Sequence, residues 1–227
     1  MGKVSRERDA EVAREAILQA AEQVFAREGF DGARIDAIAA EAGYNKSLLF
    51  HYFGDKEGLY LAVVRRLKAC LGSEFLEPLT VFVQSSDRID ADRVRMFLEM
   101  TVRRYLDFLT EHPCNLRMMA WESAEGWRTF METNKQVGEH QASSFCLVDF
   151  LRRAQAAGVI SQELDIRLLV MHIANMCIMY LLSLPRYQWF FGEPLTEQHT
   201  SLEYVHQQIV RLVSYGILTS PQEGTQQ

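Results

Sequence analysis

The sequence of 227 residues has little of what marks a secreted, metal-binding or redox protein. Its four cysteines lie far apart without a CxxC pair, which predicts neither a zinc site nor a redox motif. Its first 14 residues are charged and unlike a signal peptide, so we expect a cytoplasmic protein with reduced thiols. Only five prolines interrupt the chain, which leaves long stretches free to form helices.

The motifs of common enzyme classes are also missing. The sequence contains no glycine-rich phosphate loop, no HExxH and no GxSxG. His199 and His206 are about two helical turns apart, but two histidines without a carboxylate at matching spacing are a weak metal site. We therefore predict no catalytic residues, no metal and no cofactor, and an all-α enzyme is the less favoured alternative.

A membrane span is not expected either. The most apolar stretch, 168–184, has 17 residues and includes His172 and Asn175, so it is short and interrupted for a span. We interpret it as a buried helix of a protein without membrane association. The hydrophobic fraction of 48% is that of an ordinary globular protein, which excludes a largely disordered chain.

Charge divides the chain into two parts. The net charge is −6, but residues 1–68 hold 11 basic and 11 acidic residues, so the acidic excess lies in the remainder. An acidic protein is a poor default nucleic-acid binder. The balanced N-terminal part can still bind DNA if its cations and carboxylates lie on different faces.

Apolar residues recur at helical spacing almost throughout, and alternating β-branched runs are missing, which predicts an all-α fold. Gly29 is expected to stop a first helix, and Asp55 is a plausible N-cap for a helix over about 56–75. Longer helices are expected at about 91–111, 114–125, 127–157, 165–184 and 198–218, before a polar, disordered tail at 219–227.

Two short predicted helices, Ile35–Ala42 and Asn45–Phe53, flank Gly43 and form a helix-turn-helix pattern. At 100° per residue, Leu49 and Phe53 face the preceding helix, whereas Ser47 and His51 point away. In this motif the start and outer face of the second helix enter the major groove of DNA.

The residue types at this helix suit DNA. Lys46 can pair with guanine and Asn45 with adenine, and Leu48 can touch a thymine methyl. Arg34 and Lys56 stand at helix starts, where phosphates bind. We expect DNA contacts from Arg34, Asn45, Lys46, Ser47, Leu48, Phe50, His51, Tyr52 and Lys56.

A longer signature contains these residues. It reads Gly29-Phe30, Ile35-x-x-Ile38-Ala39-x-x-Ala42-Gly43 and Lys46-Ser47-x-Leu49-Phe50-His51-Tyr52-Phe53-x-x-Lys56-Glu57-x-Leu59. Over about residues 10–60 it resembles the DNA-binding signature of the TetR family. The resemblance implies an N-terminal three-helix DNA-binding domain (10–58), a larger C-terminal helical effector and dimerisation domain (59–218), and palindromic operators.

The chain departs from that signature in two places. The family usually has Thr or Ser where Ala33 and Arg34 stand, so the usual capping and phosphate-binding hydroxyls are missing. It usually has Tyr where Phe50 stands, and Phe50 keeps only the ring. We expect Arg34 to replace the lost phosphate contact.

Residues 91–184 are rich in methionine and aromatic residues, which suits either a plain core or a pocket for a small, largely apolar effector. The pocket candidates are Met96, Met100, Tyr105, Trp121, Trp127, His172 and Asn175. Ligand binding here would release the protein, which we expect to be a repressor, from its operator.

The helix at 165–184 is apolar nearly all round, and in the family the last two helices pair across a two-fold axis. We therefore expect a homodimer through 165–184 and 198–218, the alternative being burial within one chain. A regulator controlled by a protein partner instead of a small molecule is the alternative function.

Overall fold

The structure, a computed structural model, describes residues 2–134, 139–193 and 196–217, with side chains described outside 2–7, 134–146 and 188. Within these ranges the regular elements are helical, which confirms the predicted all-α fold. The helices are α1 (Gly2–Gly32), α2 (Ile35–Ala42), α3 (Lys46–Phe53), α4 (Lys56–Cys70), α5 (Glu77–Gln84), α6 (Ala91–Glu111), α7 (Pro113–Ala124), α8 (Arg128–Asn134), α9 (Glu139–Ala156), α10 (Ile166–Ser183), α11 (Tyr187–Phe191), α12 (Glu197–Thr200) and α13 (Leu202–Ile217). The tail predicted at 219–227 lies outside the described residues.

Local signals in the sequence set the ends of α2 and α3. Gly43 adopts a left-handed conformation (φ 74°), and its N–H donates to the carbonyl oxygens of Ala39 and Ala40, which closes α2. Asn45 caps α3, because its Oδ1 accepts the N–H of Leu48 at 2.9 Å. Both helices therefore lie where the sequence predicted them.

α4 begins as predicted and ends differently. The Oδ1 of Asp55 accepts the N–H of Gly58 at 2.7 Å, which confirms Asp55 as the N-cap. The α-helical part ends at Cys70, and the chain continues directly as a π-helix over Leu71–Leu76. π-Helical turns are rare in proteins, and where they occur they often lie at functional sites. This segment is therefore a candidate ligand-binding region.

The chain folds into two compact units. The N-terminal unit consists of residues 1–70 and 112–138, so it joins α1–α4 with α7 and α8. Its core contains Ile17, Phe25, Ile38, Leu49 and Tyr60, together with Met118 from α7. The packing thus groups residues 59–70 and two further helices with the helix-turn-helix, whereas the sequence analysis drew the domain boundary at residue 58.

The C-terminal unit consists of residues 71–111 and 139–227. In it α6 packs against α10 and α13, and α5 packs against α9. Within the helix predicted at 127–157, the structure describes α8 and α9, and residues 135–138 lie outside the described residues. The last predicted helix is divided into α12 and α13. By length and composition alone, the stretch Ile166–Arg186 is apolar enough to cross a membrane, and only 22% of its apolar window is buried within the chain.

Candidate nucleic-acid interface and ligand cavity

The α3 helix presents the face that the sequence predicted. Leu49 is 1% exposed and packs into the core of the N-terminal unit, with Phe53 half-buried beside it. Ser47 and His51 are exposed on the opposite side, and the Phe50 ring is 45% exposed. Of the other α3 candidates, Lys46 is exposed, whereas Leu48 and Tyr52 are half-buried.

The two residues expected to read bases already have partners within the chain. The ammonium of Lys46 forms an ion pair with the carboxylate of Asp36 on α2, and both side chains are about half exposed. Exposed pairs of this kind are weak, so the pair with Asp36 does not prevent the predicted contact of Lys46 with a guanine. The Asn45 Oδ1 is engaged as the cap of α3, which favours a structural role for Asn45.

The two phosphate candidates differ in their surroundings. Arg34 is exposed at the start of α2, in an extended conformation and without a side-chain cap, as the departure at this position led us to expect. Lys56 lies over the Phe30 ring, 4.8 Å from its centroid, and donates to the carbonyl oxygen of Asp31 at 3.3 Å. Lys56 therefore also fastens the start of α4 to the end of α1.

Gly58 is a residue that the sequence analysis missed. A Cβ atom at this position would overlap the carbonyl oxygen of Phe53, the last residue of α3. A glycine is required because the backbones of α3 and α4 approach closely here. The glycine three positions after the N-cap Asp55 was the signal in the sequence for this close approach. It allows α3 and α4 to pack at this distance.

A buried hydrogen-bonded network ties α4 to α7 and α8 inside the N-terminal unit. Glu122 is 3% exposed, and its two carboxylate oxygens accept the Tyr60 hydroxyl and the Phe130 N–H, each at 2.9 Å. Burial, and then the neighbouring Glu122, raise the pKa of Tyr60 far above its usual value, so its hydroxyl remains a donor.

Lys68 is the cation of this network. It is 8% exposed, and its ammonium donates to the Phe130 carbonyl oxygen at 2.6 Å and to the Thr133 hydroxyl. The ammonium also lies over the Phe130 ring, 3.7 Å from the centroid. Burial lowers the pKa of Lys68 to about 8, although Glu122 acts in the opposite direction.

Two of the predicted pocket residues belong to the N-terminal unit. The Trp121 indole lies against Gly29, where α1 turns through φ 72°, and its Nε1 donates to the carbonyl oxygen of Ala26 at 3.2 Å. Trp127 lies in the turn between α7 and α8, with its ring edge-on to Phe130. Both rings thus support this unit's own packing.

The C-terminal unit contains an apolar cavity of about 180 Å3. Three of its lining residues come from the π-helix and three from α6. The lining residues are Leu71, Phe75, Leu76, Phe97, Thr101, Tyr105, Leu147, Val148, Leu151, Val170, Ile173 and Ala174.

Of the seven predicted pocket residues, Tyr105 lines this cavity and the other six do not. Met96 is 57% exposed on α6, and Met100 is half-buried there without reaching the cavity. His172 and Asn175 are exposed on α10. Sequence analysis missed Thr101, although its position midway between Phe97 and Tyr105, four residues from each, puts all three on one stripe of α6.

The exposed side of α10 carries large apolar side chains. Leu168, Met171 and Met179 are 52%, 58% and 49% exposed, with two polar residues between Leu168 and Met179. On α13, Leu212 and Tyr215 are 66% and 82% exposed. We call these two sets the apolar stripes. An exposed apolar surface of this kind in a single chain marks an interaction site.

The two histidines considered for a metal lie on different helices. His199 is on α12, where its Nδ1 is 2.9 Å from the Thr196 hydroxyl. His206 is buried on α13 and donates through Nε2 to the carbonyl oxygen of Glu99 at 2.9 Å. Each imidazole is therefore held by hydrogen bonds of its own.

Two family profiles match the chain. "Bacterial regulatory proteins, tetR family" matches residues 17–63, and "Tetracyclin repressor-like, C-terminal domain" matches residues 95–213. Among curated relatives, the HTH-type transcriptional repressor SCO4008 of Streptomyces coelicolor is 32% identical over 174 residues, which cover 75% of this chain and 81% of that protein. The repressor NicS of Pseudomonas putida is 27% identical over 176 residues, covering 77% and 78%.

Solved structures show the same fold. The ketosteroid transcriptional regulator KstR2 of Mycobacterium tuberculosis has a TM-score of 0.60 at 20% identity, over 91% of this chain and 95% of that one. A TetR-like transcriptional regulator from Rhodococcus sp. RHA1 has a TM-score of 0.58 at 20% identity, over 90% and 94%. With the helix-turn-helix of α2 and α3 in place, the chain belongs to the TetR family of DNA-binding transcriptional regulators and is not an enzyme.

Proposed function

We propose that the protein is a cytoplasmic, homodimeric repressor that leaves a palindromic operator when a small, largely apolar molecule occupies the cavity of the C-terminal unit. The cavity carries this proposal, because its lining is apolar and includes aromatic rings. Residues 10–58 would supply the DNA contacts, and the remainder up to residue 218 would bind the effector and the second copy.

The exposed cations of the helix-turn-helix support operator binding. Lys46 and Arg34 stand on α3 and before α2, and one short recognition helix reads too few bases to specify a site alone. A symmetric dimer doubles the site that is read. The apolar stripes of α10 and α13 supply a surface for that dimer, since a second copy would cover side chains that one chain leaves exposed.

The direct continuation of α4 into the π-helix supports the proposed release by an effector. Leu71, Phe75 and Leu76 line the cavity, and they follow α4 without a break in the chain. A molecule in the cavity would favour one conformation of this segment over another. It acts only through its difference in affinity for the two forms.

The test begins with selection of bound DNA from a random pool, which should yield a two-fold symmetric sequence. Candidate effectors are then titrated against the fluorescence anisotropy of the labelled operator. By reciprocity, saturating operator should weaken effector binding by the same factor, typically about 5–150-fold. Equal effector affinities with and without operator would overturn release by that molecule.

A cavity-filling variant provides the control. Ala174→Trp should block the effector and leave operator binding intact, because Ala174 lines the cavity in the C-terminal unit. Ala156→Trp makes the same change at an exposed position of α9 and should leave the response unchanged. Continued release in the Ala174→Trp variant would point to a partner that acts elsewhere on the surface, such as a protein.

A further inference from the structure

The chemistry of the cavity narrows the effector that the proposed function requires. Among the side chains that the structure describes, its lining includes no Asp, Glu, Lys, Arg or His. A charged group buried in such surroundings would lose its hydration without gaining a counter-ion, which is strongly unfavourable. The cavity is therefore matched to an uncharged molecule.

Among the described side chains, two hydroxyl groups provide the polar chemistry of the lining. The Thr101 hydroxyl donates its proton to the carbonyl oxygen of Phe97 at 2.7 Å, which leaves its oxygen able to accept a hydrogen bond. The Tyr105 side chain is 5% exposed, and burial raises the pKa of its hydroxyl well above the usual value. Tyr105 thus stays neutral, and Thr101 acts as an acceptor.

The size and shape of the cavity suit a compact ring. Its volume is about 180 Å3, and apolar protein cavities of roughly 150 Å3 hold benzene. The Phe75 and Tyr105 rings lie 4.8 Å apart at 39° and form one wall. Aromatic rings pack favourably against other flat rings in offset or edge-on arrangements.

We infer that the effector is an uncharged aromatic molecule of about one substituted ring with a single O–H or N–H donor, and that Thr101 accepts this donor and sets the specificity. The inference rests on the proposed function, since it assigns the cavity to the effector.

Calorimetric titration of the full-length protein with four matched probes tests this class. The probes are 4-ethylphenol, ethylbenzene, 4-ethylbenzoate and the saturated 4-ethylcyclohexanol. We expect 4-ethylphenol to bind most tightly and 4-ethylbenzoate at least about 100-fold more weakly, because its charge would be buried unpaired. Equal or tighter binding of the benzoate or the cyclohexanol, or no binding of 4-ethylphenol at millimolar concentration, would overturn the inference.

A pair of threonine variants tests the role of Thr101. Thr101→Val should weaken 4-ethylphenol binding about five- to tenfold and leave ethylbenzene binding unchanged. Thr110→Val is the matched control: Thr110 lies on the same helix and donates to the carbonyl oxygen of Leu106 in the same manner, but does not line the cavity. Equal losses for both probes, or the same loss in Thr110→Val, would remove Thr101 from recognition.

The operator assay separates this inference from the proposed function. If 4-ethylphenol binds as expected but does not release the operator, the chemistry of the cavity stands and the proposed release fails. If a charged probe both binds and releases the operator, the release stands and the inferred chemical class fails.

Discussion

The two compact units bury polar groups in different ways. The N-terminal unit encloses Lys68, Asn115, Glu122, Thr129 and Thr133, whereas His206 is the buried polar residue of the C-terminal unit among the described side chains. Buried polar groups demand specific partners at specific distances, so they fix the positions of the helices that carry them. Apolar packing is less directional and tolerates rearrangement.

This difference matches the two tasks that we propose for the protein, operator binding and effector binding. A recognition helix must be held in one orientation to meet base edges, and the contacts from α4 to α7 and α8 give the N-terminal unit such a fixed frame. A cavity that receives a ligand must adjust, and the C-terminal unit surrounds its cavity with Leu, Val, Ile and Phe side chains. The N-terminal unit thus has the packing expected of a rigid frame, and the C-terminal unit has the packing expected of an adaptable cavity.

The largest effect is expected from a charge placed in the proposed dimer surface of the C-terminal unit. Met179→Arg places a cation in the apolar stripe of α10, where a dimer would bury it without a partner. We expect dissociation to monomers in analytical ultracentrifugation and a loss of operator affinity of roughly 100-fold or more. Met96→Arg, at an equally exposed methionine of α6, should leave the dimer intact. A stable Met179→Arg dimer would exclude this stripe as the interface.

Removing the central acceptor of the N-terminal unit should have a comparable effect, on the stability of the fold instead of on dimerisation. Glu122→Ala leaves the Tyr60 hydroxyl and the Phe130 N–H without their acceptor. We expect the free energy of unfolding in urea to fall by about 3 kcal/mol. Glu125→Ala, at an exposed carboxylate nearby, is the control. Equal losses in both variants would show that the buried network does not hold the unit together.

The helix-turn-helix was predictable because its signals are local. The periodicity of Ile35–Ala42, the turn at Gly43 and the cap at Asn45 each depend on a few neighbouring residues, and the structure has them where the sequence indicated. The same holds for α6 at Ala91–Glu111, whose buried apolar residues recur at helical spacing. Tyr105, one of these residues, lines the cavity.

The other six predicted pocket residues lie away from the cavity, because their positions depend on distant parts of the chain. Trp121 contacts Ala26, 95 positions earlier, and no local pattern contains that pairing. The α10 helix is apolar nearly all round, so periodicity did not say which stripe faces inward. The buried stripe contains Leu169, Ile173 and Cys177, which left His172 and Asn175 exposed.

Variants of the two cations that we propose to contact DNA would sharpen the role of the N-terminal unit. Lys46→Ala should cost about 1–3 kcal/mol on the selected operator and much less on random DNA, if Lys46 reads a base. Arg34→Ala should weaken both alike and reduce the slope of affinity against salt by about one ion, as a phosphate contact does. Anisotropy titrations at several salt concentrations distinguish the two. Equal effects of Lys46→Ala on both DNAs would make Lys46 a phosphate contact.

The smallest effect concerns the pH dependence of stability. The pKa of Lys68 is about 8 in the folded chain, below its ordinary 10.5. Between these values the unfolded chain keeps the proton that the folded chain has lost, so stability gains from this residue as pH rises. Compared with Lys68→Met, the wild type should gain about 1 kcal/mol of unfolding free energy between pH 7.5 and 9. The contributions of the other titrating groups cancel in this comparison, because both proteins contain them. A constant difference across this range would mean that the contacts with Phe130 and Thr133 hold the proton on Lys68, and that the polar network stays charged as well as rigid.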